Sequence, residues 1–166
     1  MAAGNTYVAL ATNTLSSAAA SVTFSSISGA YTDLVIVSTP FITTGTTNFN
    51  IRFNSDSSGN YSWRTLDGTG SAAVTNYDSN VGQGRLHDYA WLTTSNIGNY
   101  ITYIQNYSNT TTYKTYLGRG NVANNGVSAV VGLWRSTAAI TSITLFPSAS
   151  TFPTGSTFNL YGIAAA

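Results

Sequence analysis

The sequence contains no cysteine and no glutamate, and Lys114 is its only lysine. Without cysteine there are no disulfides, thiolate nucleophiles or zinc–thiolate centres, so stability must come from burial and assembly. Charged residues make up 7% of the 166 residues, where a soluble domain typically carries about 25%. Helix surfaces draw on Glu, Lys, Gln and Arg for propensity and solubility. A chain poor in these and rich in Thr, Ser, Asn, Gly, Tyr and Val reads as all-β.

The net charge is +1, and Arg52, Arg64, Arg85, Arg119 and Arg135 are scattered along the chain. That removes the electrostatic case for nucleic acid or an anionic membrane. No apolar run reaches the length of a membrane span. The N-terminal residues show neither the basic region nor the unbroken apolar region of a signal peptide. The expectation is a soluble chain made in a cytoplasm. Low charge also weakens the usual defence against association, and a neutral surface rich in Tyr and Thr suits a protein packed against other copies or another protein.

What is present is strand pattern. Tyr7 to Leu10 and Val22-Thr23-Phe24 read as the first two strands. Leu34-Val35-Ile36-Val37 is apolar on both faces, as expected of a central strand covered on both sides, and Pro40 ends it. Gly45 to Asn48 reads as a turn. Phe49, Ile51 and Phe53 point inward, with Asn50 and Arg52 outward. The turn-rich Asn54 to Asn60 then joins this strand in a hairpin to Tyr61 to Leu66, where Tyr61 and Trp63 share a face.

From Asp67 to Arg85 the pattern lapses around Gly68, Gly70, Gly82 and Gly84, and the stretch reads as the longest irregular loop, anchored by Val74 and Tyr77. His87 to Leu92, Tyr100 to Gln105, Tyr113 to Leu117, Val127 to Trp134 and Ile140 to Phe146 read as further strands. Gly98-Asn99 and Asn124-Asn125-Gly126 are turns between them. Gly155 to Ile163 sets Thr157, Asn159 and Tyr161 against Phe158, Leu160 and Gly162, and so reads as a strand docked inside a sheet. The whole is one domain, 1–166: an antiparallel β-sandwich of about ten short strands.

The residues that carry chemistry are few. The one histidine, His87, precedes Asp88; on a strand the two point to opposite faces, and no G-x-S-x-G elbow accompanies them. His87 therefore reads as a surface or partly buried structural residue. Asp33, Asp56, Asp67, Asp78 and Asp88 fall at expected strand ends or turns rather than as a two-carboxylate pair. Asn54-Ser55-Asp56-Ser57-Ser58-Gly59-Asn60 has the alternating oxygens of half a calcium loop but no closing Glu, and reads better as an Asx-rich turn. The sequons at Asn60, Asn106 and Asn109 are expected by chance in so Asn- and Thr-rich a chain. Tyr61, Trp63, Tyr89, Trp91 and Trp134 sit in alternating strands, where core and subunit interface outweigh a sugar-stacking platform. No catalytic, cofactor or metal residue is assigned.

Several segments together carry a resemblance. They are Val22-Thr23-Phe24-Ser25-Ser26-Ile27 before Tyr31-Thr32-Asp33-Leu34-Val35, and Arg52-Phe53-Asn54 with Asp56 and Asn60-Tyr61-Ser62. Gln105-Asn106-Tyr107-Ser108, Trp134-Arg135-Ser136-Thr137-Ala138-Ala139-Ile140-Thr141-Ser142-Ile143 and the closing Gly155 to Ile163 follow. In this order, over nearly the whole chain, they resemble a family of small virion structural proteins of tailed bacteriophages, including aquatic and cyanobacterial phages. The resemblance implies a non-enzymatic, jelly-roll-like sandwich that is often oligomeric, with a trimer favoured over a dimer. The role it implies first is capsid decoration (cement) on the outer surface of the phage head, with the major capsid protein as partner. A tail module, either fibre tip or receptor-binding domain, is the second. Contact with the capsid is expected through the Asp67 to Arg85 stretch and the N-terminal segment.

Overall fold

The computed structural model describes residues 6–88, 92–123 and 125–164, which form fourteen strands and no helix. The first five are β1 (Tyr7–Thr14), β2 (Val22–Phe24), β3 (Asp33–Thr39), β4 (Thr46–Thr47) and β5 (Phe49–Phe53). Next come β6 (Tyr61–Gly68), β7 (Ala73–Val81), β8 (Gly84–Arg85), β9 (Leu92–Thr93) and β10 (Gly98–Gln105). The last are β11 (Lys114–Val122), β12 (Gly126–Trp134), β13 (Ile143–Pro147) and β14 (Thr157–Ile163). The count exceeds the ten or so expected because β4, β8 and β9 are two-residue pairings too short to alternate and β7 falls in a stretch that reads as loop.

Eight strands make one sheet, in the order β1-β14-β3-β10-β11-β12-β6-β7, and four make a second, β2-β13-β5-β8. All pairings are antiparallel. The result is a jelly-roll-like antiparallel β-sandwich. The closing strand β14 is docked inside the large sheet, between β1 and β3, as its alternation requires.

The core lies between the sheets, and β5 is the bridge. Phe49 and Phe53 project from the small sheet into rings of the large one. Phe49 meets Tyr100 at 5.3 Å and Phe158 at 6.4 Å; Phe53 meets Trp134 at 5.5 Å and Tyr116 at 6.0 Å. Two tyrosines of the large sheet lie flat over glycines on neighbouring strands. A Cβ on Gly120 would overlap the Tyr100 ring, and one on Gly132 would overlap the buried Tyr116 ring, so these strand glycines mark close approach.

Several expectations fail. The connection 54–60 is not a hairpin turn: β5 pairs with β13 and β8, while β6 pairs with β12 and β7, so the chain crosses between sheets there. The stretch from Asp67 to Arg85 is not an irregular loop. It completes β6, turns at 69–72 and runs back as the nine-residue β7. β7 escapes pattern reading because it is an edge strand exposed on both faces; Val74 is only half-buried and Tyr77 exposed, so neither is an internal anchor. Asn50 faces away from the core yet is fully buried, its Nδ2 donating to Ser148 Oγ at 2.8 Å. Gly98 and Asn99 open β10 rather than forming a turn, and Thr46–Thr47 is a strand within the expected Gly45 to Asn48 turn.

Of the expected strand from His87 to Leu92, residues 89–91 lie outside the described residues; His87 and Asp88 are not in a strand, and Leu92 opens β9. Tyr89 and Trp91, like Asn124 and the first five residues, lie outside the described residues. No helix among the described residues is long and apolar enough to cross a membrane.

Candidate functional site

The groups capable of chemistry are held by the fold. His87 is fully buried, not a surface residue. Its ring stacks on Tyr100 at 4.8 Å and lies 6.0 Å from Phe49, and neither ring nitrogen has a hydrogen-bond partner. Burial, with Arg85 adding to it, holds its pKa well below the ordinary histidine value. Asp88 does not orient it: that carboxylate accepts from Asn76 Nδ2 at 2.7 Å and lies 3.9 Å from Arg85 Nε.

Stability should therefore depend on acid. Below about pH 6.5 the unfolded chain's histidine takes up a proton that the folded chain's does not, so ν for the unfolded state is larger. Stability is full above that pH and falls as pH drops, by up to about 1.4 kcal/mol per unit. Urea midpoints at pH 7.5, 6.0 and 5.0 should show this fall. In His87→Phe the fall should vanish between pH 6.5 and 5; an unchanged slope there would assign it elsewhere.

The 54–60 segment is a clamp, not a cation loop. Asp56 Oδ2 accepts from Trp134 Nε1 at 2.7 Å and Asn60 Nδ2 at 2.8 Å, and Oδ1 accepts from the Ser58 amide at 2.9 Å. Partial burial alone would raise the Asp56 pKa, but these donors outweigh it and hold it low. Asn54, in the left-handed region at φ 52°, accepts at Oδ1 from the amides of Thr141 (2.8 Å) and Ser142 (3.1 Å). Its Nδ2 donates to the Ala139 carbonyl at 2.8 Å. Asn54→Ala should lose about 2–4 kcal/mol, summing lost hydrogen bonds and a positive φ that alanine resists. Asn54→Gly, free of the φ penalty, should recover part of it in the same urea titration; equal losses for both would refute the backbone share.

The other aspartates are also engaged locally. Asp33 Oδ1 accepts the Asn106 amide at 2.7 Å, buried Asp67 accepts from Thr65 Oγ1 at 2.5 Å, and Asp78 accepts the Ser79 amide at 2.9 Å. Asp67 and Asp78 lie within strands rather than in turns. Among the described residues no group of three or more His, Cys, Asp or Glu is placed to hold a metal ion. Two sequon asparagines also hold turns: Asn60 through Asp56, and Asn109 by accepting the Thr111 and Thr112 amides. Tyr61, Trp63 and Trp134 are buried in the core rather than on a stacking platform.

What the fold leaves uncovered is the outer face of the large sheet. Ile101, Arg119, Ala129 and Leu66 follow one another across β10, β11, β12 and β6, and Tyr103, Leu117, Val131 and Arg64 form the next row. Leu66 is 67% exposed, Val127 58%, Val131 57% and Leu117 46%. The face holds a depression of about 710 Å³ over β6, β11 and β12. Its cations are Arg64, over the Tyr77 ring at 4.8 Å, and Arg119. Soluble monomers seldom leave a contiguous apolar face of this extent open.

One of the large sheet's two edge strands, β7, is blunted. On β7 the Tyr77 amide donates to Asn76 Oδ1 at 3.0 Å and the Ser79 amide to Asp78 Oδ1 at 2.9 Å. These local bonds occupy donors that would otherwise recruit a further strand. The face, not this edge, is the free surface.

No protein-family model and no curated protein matches the chain. Among solved structures it is similar to a galectin of Caenorhabditis elegans, at 11% identity over 90% of this chain and 94% of that one, with a TM-score of 0.43. It is more distantly similar to a Shewanella oneidensis protein of unknown function, at 10% identity over 100% of this chain and 82% of that one, with a TM-score of 0.26. Likenesses this weak decide nothing about function, and the fold rests on the chain's own strand pairing.

Proposed function

We propose that this chain is a virion structural protein: a capsid decoration protein that binds the outer surface of a phage head, with the major capsid protein as partner, and works as an assembly of copies. The observation that supports the reading is the open, charge-poor apolar face spanning β10, β11, β12 and β6. Beside it, His87, Asp56 and Asp67 serve packing and clamping. The resemblance of its ordered segments to phage virion proteins supplies the setting.

The mechanism is mass action. A protein that binds the expanded shell and not its ruptured form stabilises the shell by its binding free energy, repeated over many copies. Contacts made by neutral side chains lose little to screening, so binding should hold from low to high salt.

The test is to strip the protein from heads, heat them and add it back. Rupture temperature should rise on restoration; no change would reject stabilisation. Labelling intact particles by electron microscopy separates the second reading, a tail-associated fibre tip or receptor-binding module. Label over the whole head supports decoration, and label confined to the tail rejects it.

A further inference from the structure

We infer that the outer face of the eight-stranded sheet packs against the same face of a second copy, giving a two-fold pair. This rests on the reading of that face as an assembly surface; once buried in the pair it joins copies of the chain, and contact with a head then falls to another surface of the pair.

The composition of β12 is the first reason. Inward it carries Val130 and Trp134 in the core; outward it carries Val127, Ala129, Val131 and Leu133. A strand apolar on both sides is composed for cover on both sides, and the fold covers only one.

The second reason is the arrangement of charge around β12. On β11, Arg119 stands beside Ala129 and Leu117 beside Val131; on β6, Leu66 stands beside Ala129 and Arg64 beside Val131. Leucine and arginine thus run in opposite order on the two flanking strands. Turn a second copy over about an in-plane axis along β12, and β11 of one copy overlies β6 of the other. Arg119 then meets Leu66 and Leu117 meets Arg64. With the axis across the strands, Arg119 meets Leu117, Leu66 meets Arg64 and Ala129 meets Val131. In both arrangements each arginine stem lies on a leucine, and no arginine opposes another. The face is self-complementary.

Extent is the third reason. The four strands β10, β11, β12 and β6 at about 4.8 Å, each about 23 Å long over seven residues, give a footprint of roughly 440 Å², and the flanking strands of the eight-stranded sheet bring the whole face to roughly 880 Å². A stable interface needs about 800 Å² from each partner. A second copy supplies a face of the same extent and apolar character, and two twisted sheets pack aligned at about 30°. Because the face is used by both partners, the pair closes at two copies.

The full chain should be measured by light scattering and sedimentation at about 100 µM, above the micromolar ceiling for interfaces of this size. The expected mass is twice the 17.4 kDa of one chain. Val131→Asp, alone and with Leu117→Asp, should reduce it to a single chain while circular dichroism stays that of the folded protein. Thr23→Asp, on the exposed side of the small sheet, should leave the pair intact. A wild-type mass of one chain, a mass of three, or a pair that survives the double substitution would each overturn the inference. Adding the variants to stripped heads separates the two readings. A single-chain Val131→Asp that still coats heads leaves decoration standing with its head contact elsewhere. A wild-type pair that coats nothing leaves the pairing standing without the capsid.

Discussion

Trp134→Ala should be among the most damaging single substitutions in the chain, costing about 3–5 kcal/mol from the lost ring alone. Trp134 is 2% exposed at the end of β12, stacked on Tyr61 at 6.3 Å and 5.5 Å from Phe53. It is also the donor that ties Asp56 down. Removing it opens a cavity and strips a partly buried carboxylate of a donor, and the two costs add. Trp134→Phe separates them in part: it keeps one aromatic ring and loses the indole N–H with a smaller share of the buried volume, so it should cost nearer about 1.5–3 kcal/mol. Urea unfolding of the three proteins at pH 7.5 checks the order. If the phenylalanine variant matched wild type, the indole–carboxylate bond would carry no net stability.

Phe49→Ala is expected to cost a similar 3–5 kcal/mol. Its ring is fully buried and touches Tyr100, Phe152, His87 and Phe158, at centroid distances of 5.3, 5.8, 6.0 and 6.4 Å. It joins the small sheet to the large one beside His87, which gives a second readout. A cavity there admits water to a histidine whose ring nitrogens have no partner, which eases its protonation. The acid-dependent loss between about pH 6.5 and 5 should therefore be smaller in Phe49→Ala than in wild type. A variant that lost stability but kept the full acid slope would show that His87 stays dry without Phe49. Core leucines and valines should cost less, because they touch fewer rings and their sites collapse more readily.

Much of the fold is written locally. The alternation of Phe49, Ile51 and Phe53, of Tyr61 and Trp63, and of Phe158 and Leu160 specifies strands and their buried faces, because side chains of a strand alternate with period two whatever it pairs with. Leu34 to Val37, apolar on both sides, belongs to a central strand of the large sheet. β7 was illegible for the converse reason: an edge strand with both faces in water has no alternation to display, so its asparagines, with glycines on either side of it, read as loop. The 54–60 segment was legible as a turn but not as a crossing between sheets, since a turn's residues do not say which strands will pair on either side of it.

The candidate surface was half legible. A neutral chain rich in Tyr and Thr announces that it will be packed against something, and Val127 to Trp134 reads as a strand from its own residues. That Leu117, Val131, Leu66 and Ala129 share one open face, with Arg119 and Arg64 set diagonally across it, follows only from the β11–β12–β6 register. His87 shows the same division. Its identity and its neighbour Asp88 suggested a surface or partly buried residue, and only the meeting of Phe49 from one sheet with Tyr100 from the other encloses it. Strand, face and charge depletion are properties of short stretches and their composition. Pairing order, sheet crossing and the surface left over are set by contacts between residues tens of positions apart, where the energies that decide among arrangements arise only once the two sheets have met.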